Sequence, residues 1–208
     1  MWDETLLVFS SDNGGQADLE YGGGSNFPLR GSKGSWWEGG MRVAAFVSGG
    51  YVPPGARGTV YDGMVHIADW ATTLCGLAGG DSVACAADPS AAAAGLPPVD
   101  GLDLWPALSG ANATSPRTAF AASTGTYMTT QWKLLLGDVS FASWTGPLFP
   151  NSSSGVDDLK KYTAACGTAG CLYNMLEGER LRYNTVLLCF VSHTFSPFFC
   201  CLRLYRAG

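Results

Sequence analysis

The sequence predicts a loop-rich α/β chain, and three observations carry that prediction. Glycine is abundant, 28 of 208 residues, which points to many tight turns. Short apolar runs bounded by glycine, residues 5–10 and 41–47, read as buried strands. Residues 63–77 instead place Val65, Ala68, Thr72 and Cys75 at helical spacing, with Gly76 and Gly79 near the end. A hydrophobic fraction of 47% with 12% aromatics can build a core, which argues against disorder. Charged residues reach only 14%, the net charge is −5 and no Lys/Arg run occurs, so nothing favours a nucleic-acid partner.

The elements follow in order. Residues 16–37 are rich in Gly, Ser and Asn and read as a long irregular loop, a type that is usually functional inside a compact domain. Residues 81–96 are Ala-rich and Pro-bounded, and read as a surface loop. Residues 102–108 form a turn and short helix. A second segment opens near Thr118, where residues 126–136 read as a hairpin and residues 172–175 as another strand. The tail, residues 186–204, is mostly apolar. A spanning helix needs about twenty apolar residues. His193, Ser196 and Pro197 interrupt this one, which favours a buried or unrelated segment over a membrane anchor.

Seven cysteines are many for a cytosolic domain. Cys75 with Cys85, and Cys166 with Cys171, have the short separations of disulfides in secreted or lumenal proteins; scattered buried thiols are the alternative. With His66 and His193 as the two histidines and no Cys-x-x-Cys, no spacing fits zinc. Asn112-Ala-Thr and Asn151-Ser-Ser match the glycosylation acceptor pattern. The chain starts with acids rather than a signal peptide, so Met1 is expected to be internal to a longer protein.

The chemistry centres on Asp12-Asn13, which follow the first apolar run. Asn-Gly is a strong hairpin signal. Residues 16–24, however, do not look like a returning strand. Polar residues beyond a buried strand's carboxyl end are where open α/β sheets keep their sites. A carboxylate and an amide oxygen suit Ca²⁺ or Mg²⁺. The residues alone leave turn and metal ligand both standing. Lys33, in a Gly-rich loop beside Trp36 and Trp37, reads either as a solvated charge or as a point-charge donor to an anion near the metal. Glu38, before Gly39-Gly40 and a strand, reads either as a base or, preferred here, as a residue that ties the loop down through backbone N–H groups, and Arg30 is expected to do similar work. His66 is expected on the apolar face of a helix, and Asp69 and Asp103 as cap or turn residues.

Taken together, "TLLVFSSDNGG", "NFPLRGSKGSWWEGGMRVAAFVSG", "VHIADWATTLCGLAG", "GLPPVDGLDLWPALSG" and "QWKLLLG" resemble the sulfatases, closest to the arylsulfatase B type. The resemblance runs over residues 2–174, in the right order, and covers only the later part of a sulfatase. It implies a partial alkaline-phosphatase-like α/β sheet domain over residues 1–120. A small α+β subdomain with an antiparallel sheet follows over residues 121–182, then an unmatched apolar tail, residues 183–208.

The resemblance also implies a site. Asp12 and Asn13 would be two of the four side-chain ligands of one Ca²⁺, and Lys33 would contact the sulfate. The family's formylglycine nucleophile derives from the cysteine of Cys-x-Pro-Ser-Arg. No cysteine here has that context, and Ser115-Pro116-Arg117 is the nearest string. The implied mechanism is attack of a hydrated aldehyde on sulfur, with cationic groups neutralising the sulfate oxygens and a histidine protonating the leaving alcohol. The chain is therefore expected to be a sulfuric ester hydrolase by family, inactive alone, on a secretory, lysosomal or extracellular route. Its partner would be a sulfated small molecule or glycan. A non-catalytic secreted or lumenal binding module derived from a sulfatase is the alternative, and a phosphodiesterase or phosphonate hydrolase a third. Residues 22–27 are expected to bear on substrate choice. A parallel sheet lacking neighbouring strands would expose apolar faces, so poor stability in isolation is expected.

Overall fold

The computed structural model describes residues 1–17, 24–142 and 163–176, and the backbone of residues 186–187. The strands are β1 (Leu7–Ser10), β2 (Ala45–Ser48), β3 (Ala119–Ser123), β4 (Thr126–Thr129), β5 (Trp132–Leu135), β6 (Asp138–Ser140), β7 (Thr163–Ala165), β8 (Cys171–Asn174) and β9 (Val186–Leu187). The helices are α1 (Glu38–Met41), α2 (Asp69–Leu77), α3 (Ser82–Ala87), α4 (Pro89–Ala93) and α5 (Trp105–Leu108). Their contacts group into two interleaved units, one of Met1–Val8 with Val47–Phe120, the other of Phe9–Phe46 with Ala121–Gly208.

The two leading strands, β1 and β2, pair as a two-stranded ribbon. The N–H of Ser11 donates to the Ala44 carbonyl and that of Tyr51 to the Thr5 carbonyl, so the strands run in opposite directions. The sequence reads each as a buried strand, and the structure corrects the burial: both are exposed or half-buried along their whole length. Phe9 (48% exposed) and Phe46 (54%) stack with ring centroids 5.1 Å apart but remain open to solvent. A two-stranded ribbon has no second layer of its own to cover that face.

In the first unit, α2 begins at Asp69 rather than near Gly63, because the preceding residues fold into a turn closed by the Asp69 N–H on the His66 carbonyl. His66 is therefore not on a helix face. It is half-buried, with its ring 4.9 Å from that of Phe120. The buried face of α2 is polar. Asp69 and Thr73, one turn apart, accept the N–H groups of Leu102 and Leu104, both at 2.9 Å. Residues 81–96 are not a loop: Asp81 caps α3 through the Val83 N–H and Asp88 caps α4 through the Ala91 N–H. Alanine is the best helix former, so two capping aspartates suffice to start both helices. A Cys75–Cys85 disulfide joins α2 to α3, with Cα atoms 6.2 Å apart.

In the second unit, β3 to β5, β8 and β9 form a five-stranded sheet, and β6 and β7 a two-stranded one. The expected hairpin is β4–β5, with Tyr127 opposite Leu134. Its turn is closed by Thr129 Oγ1, which accepts the Trp132 N–H at 2.8 Å. The expected strand at residues 172–175 is β8, antiparallel to β5 with Lys133 opposite Tyr173. The core is Trp37, Leu135, Val139, Ala142, Tyr173 and the disulfide pair Cys166–Cys171. Burying Trp37 and Leu135 completely contributes about 2–3 kcal/mol each. The apolar tail around His193, the acceptor Asn151, and Gly22 and Gly23 lie outside the described residues.

Candidate functional site

The turn after β1 carries Asp12 and Asn13. Asp12 Oδ1 accepts the Asn13 N–H at 2.9 Å. Asn13 Nδ2 donates to the Gly14 carbonyl at 2.9 Å, and Ser11 Oγ donates to the Asn13 carbonyl. The amide nitrogen is thus engaged by Gly14, and Asn13 is half-buried next to the exposed Asp12. The donor chemistry fits a hard cation. Hexa- to octa-coordination needs more oxygens than these two residues supply. Among the described residues no cluster of three or more His, Cys, Asp or Glu side chains stands ready to complete the shell.

Two glycines bring the turn against α1. The N–H of Gly14 donates to the Gly40 carbonyl at 2.9 Å. A Cβ on Gly14 would sit 1.7 Å from the Gly39 carbonyl oxygen, so only glycine fits this approach.

The long loop supplies Lys33. Its side chain is exposed, and its N–H donates to the Gly15 carbonyl at 3.1 Å. Lys33 is thus tethered to the turn that bears Asp12 and Asn13. Asn26 clips the two together a second time: its side-chain oxygen accepts the Gly15 N–H at 2.6 Å, and its nitrogen donates to the carbonyls of Gly15 and Gly31. Asn26 lies in the stretch expected to bear on substrate choice, and its side chain holds the loop to the turn. Beside Lys33, Gly34, Ser35, Trp36, Gly40 and Met41 line a hollow of about 260 Å³.

Beneath the loop lie its anchors. Arg30 is buried; its Nε donates to the Ala142 carbonyl at 2.5 Å, and its guanidinium stacks 3.8 Å from the Trp37 ring centroid. Trp37 Nε1 donates to the Ser140 carbonyl, and its ring meets Tyr173 edge-on at 5.4 Å. A desolvated cation–π contact of this kind contributes about 2 kcal/mol. Burial lowers the Arg30 pKa, with Tyr173 opposing, and burial raises that of Tyr173, with Arg30 opposing. Among the described residues Glu38 accepts no backbone N–H, contrary to expectation: its carboxylate accepts from Lys133 Nζ at 3.1 Å. Burial holds the Lys133 ammonium below its ordinary value, against the pull of Glu38.

A second ion pair lies in the other unit. Asp69, expected as a cap or turn residue, accepts the His66 N–H in the turn before α2 at 2.8 Å; it is also fully buried and receives Arg117 side-on, Nε at 2.8 Å and Nη2 at 2.5 Å. Burial works to raise the Asp69 carboxyl, but Arg117 and the N–H groups of His66 and Leu102 outweigh it and hold it below its ordinary value. Asp103 does act at a turn, accepting the Trp105 N–H. In Ser115-Pro116-Arg117, Ser115 Oγ donates to the Met64 carbonyl, so both polar members serve the fold. Sequence reasoning did not foresee either ion pair. The available signal was a charged residue inside an apolar run: Lys133 stands between Trp132 and Leu134.

A profile of the sulfatase family matches residues 1–80. Arylsulfatase J of Mus musculus is 32% identical, over 84% of this chain and 30% of its own length. The chain belongs to the sulfatase family. The crystal structure of the PsFucS1 sulfatase from Pseudoalteromonas sp. superposes with a TM-score of 0.62 at 23% identity, over 89% of this chain and 33% of that one. At that identity the likeness speaks for the fold alone. This sulfatase chain spans about a third of the length of the relatives it matches. No helix among its described residues is long and apolar enough to cross a membrane.

Proposed function

We propose that this chain carries the part of a calcium-dependent sulfuric ester hydrolase that holds one side of the metal and one oxygen of the sulfate. The observation behind this reading is the double tether, Lys33 N–H to Gly15 and Asn26 across Gly15 and Gly31, which joins the Lys33 loop to the Asp12-Asn13 turn. Asp12 and Asn13 would hold Ca²⁺ through side-chain oxygens. The bound cation would neutralise charge on the sulfate oxygens. Lys33 would donate to a sulfate oxygen as an exposed ammonium on a fixed backbone. The surrounding architecture would be the alkaline-phosphatase-like α/β sheet.

None of the seven cysteines stands in Cys-x-Pro-Ser-Arg, so the chain itself supplies no nucleophile of the family type. Its substrate would be a sulfated small molecule or glycan, and its route secretory, lysosomal or extracellular. Exposed Asn112 would accept a glycan on that route. The missing nucleophile context equally favours a second reading, a non-catalytic binding module derived from a sulfatase.

Calcium chloride titrated into the labelled chain tests the first reading. The amide signals of Asn13 and Gly14 are expected to shift in the parent and not in Asp12→Ala. Lys33→Ala is expected to keep the calcium response and lose the response to sodium sulfate. No calcium response in the parent refutes the metal assignment. Hydrolysis of nitrophenyl sulfate at ordinary sulfatase rates by this chain alone refutes the absence of a nucleophile.

A further inference from the structure

We infer that Lys133, far along the chain on β5, is a positioning residue for the Asp12–Gly15 turn and acts through Glu38. The inference rests on the reading of Asp12, Asn13 and Lys33 as metal and sulfate contacts.

The chain of contacts is short. Lys133 is fully buried and its Nζ lies 3.1 Å from Glu38 Oε1; Glu38 is 4% exposed. Glu38 is the first residue of α1. The next residue, Gly39, donates its N–H to the Arg30 carbonyl at 2.6 Å. The one after, Gly40, offers its carbonyl to the Gly14 N–H at 2.9 Å. Gly14 follows Asn13 directly, and the contact of Gly14 on Gly39 leaves no room for a Cβ. The carboxylate that meets Lys133 is therefore two residues from the carbonyl that sets the height of the Asp12-Asn13 turn.

Stability alone does not account for an ion pair at this place. Replacing a buried pair by apolar groups of equal volume is often neutral or stabilising. What the charge-assisted bond adds is a fixed partner: the Lys133 ammonium donates to the Glu38 carboxylate, and any movement that parts them leaves a buried charge without its counterion. An apolar Met–Leu contact would hold α1 against the sheet yet let it slide or rotate. Interiors are close-packed, so such a slide passes straight to Gly14.

The test uses the full chain, isotope-labelled, with Lys133→Met, Lys133→Arg, Glu38→Gln and the double variant Glu38→Leu/Lys133→Met. Amide hydrogen exchange is read at Gly14, Gly39 and Lys33, and at the β4–β5 ladder for comparison. In Lys133→Met and in the double variant, Gly14 and Lys33 are expected to exchange at least tenfold faster than the parent, beyond any change in the ladder. Lys133→Arg is expected to restore them. A merely structural role would speed ladder and turn alike, and that result overturns the inference. So does parent-like exchange at Gly14 in a double variant that melts as the parent does. Should Lys133→Met fail to fold, Glu38→Gln, which keeps a carbonyl acceptor without the charge, decides by the same criterion. Calcium chloride alone is then titrated: the folded variants other than Lys133→Arg are expected to need at least tenfold more than the parent, and Lys133→Arg about as much as the parent. If the parent gives no calcium response while the exchange pattern appears, the metal reading falls and the positioning role stands.

Discussion

Asp69→Asn is the sharpest perturbation the structure offers. The carboxylate is fully buried and accepts five bonds: three from Arg117, one from the His66 N–H at 2.8 Å and one from the Leu102 N–H at 2.9 Å. Asparagine keeps the volume but offers one acceptor oxygen. Its NH₂ group must then face either Arg117 or a backbone donor, and the guanidinium keeps the Asp100 carbonyl as its remaining strong partner, at 2.6 Å. Removing one member of a buried ion pair costs about 3–5 kcal/mol. For a chain of this size each kcal/mol moves the melting midpoint by about 2–4 °C, so the drop is roughly 6–20 °C.

The assay is thermal unfolding by near-ultraviolet circular dichroism at neutral pH, repeated as the pH is lowered. Asp69 is held below its ordinary pKa in the fold, so its contribution is complete above the unfolded value of about 3.9 and is lost as pH falls through the folded value. The parent is therefore expected to lose stability steeply in that acid window, and Asp69→Asn to show a shallower slope there. A loss under about 1 kcal/mol, or an unchanged acid slope, would refute the account, since only a solvated pair behaves so.

Gly14→Ala puts a methyl group on the Gly39 carbonyl, and the overpacking is expected to cost at least about 2 kcal/mol and to move amide signals across residues 11–40. Replacing Cys75 and Cys85 together by Ser opens a loop with a separation of 10 residues, and loop entropy sets the expected loss in urea unfolding at about 2–3 kcal/mol. Lys33→Ala removes an exposed side chain, and calorimetry is expected to show a stability within about 0.5 kcal/mol of the parent while sulfate binding disappears.

What was legible in the sequence was local. The β4–β5 hairpin and β8 announce themselves by extended, β-prone runs around polar turns, and the two cysteine pairs by separations short enough to close. The short blocks around Asp12 and Lys33 were enough to mark the sulfatase family, because each block is contiguous. The Ala-rich residues 81–96 misled because composition was read there and the capping positions of Asp81 and Asp88 were not.

By itself, then, the sequence determined which residues offer oxygen and ammonium groups, and which short elements carry them. Only the tertiary structure decided what those groups meet. Burial depends on which faces find a covering layer, so the apolar runs at β1 and β2 ended half in solvent while Lys133 and Asp69 ended fully inside. The partners that make such burial tolerable, Glu38 for one and Arg117 for the other, stand 95 and 48 residues away. No local pattern encodes a separation of that length: a charge buried in a low-dielectric interior is stabilised by whatever the fold brings within about 3 Å of it.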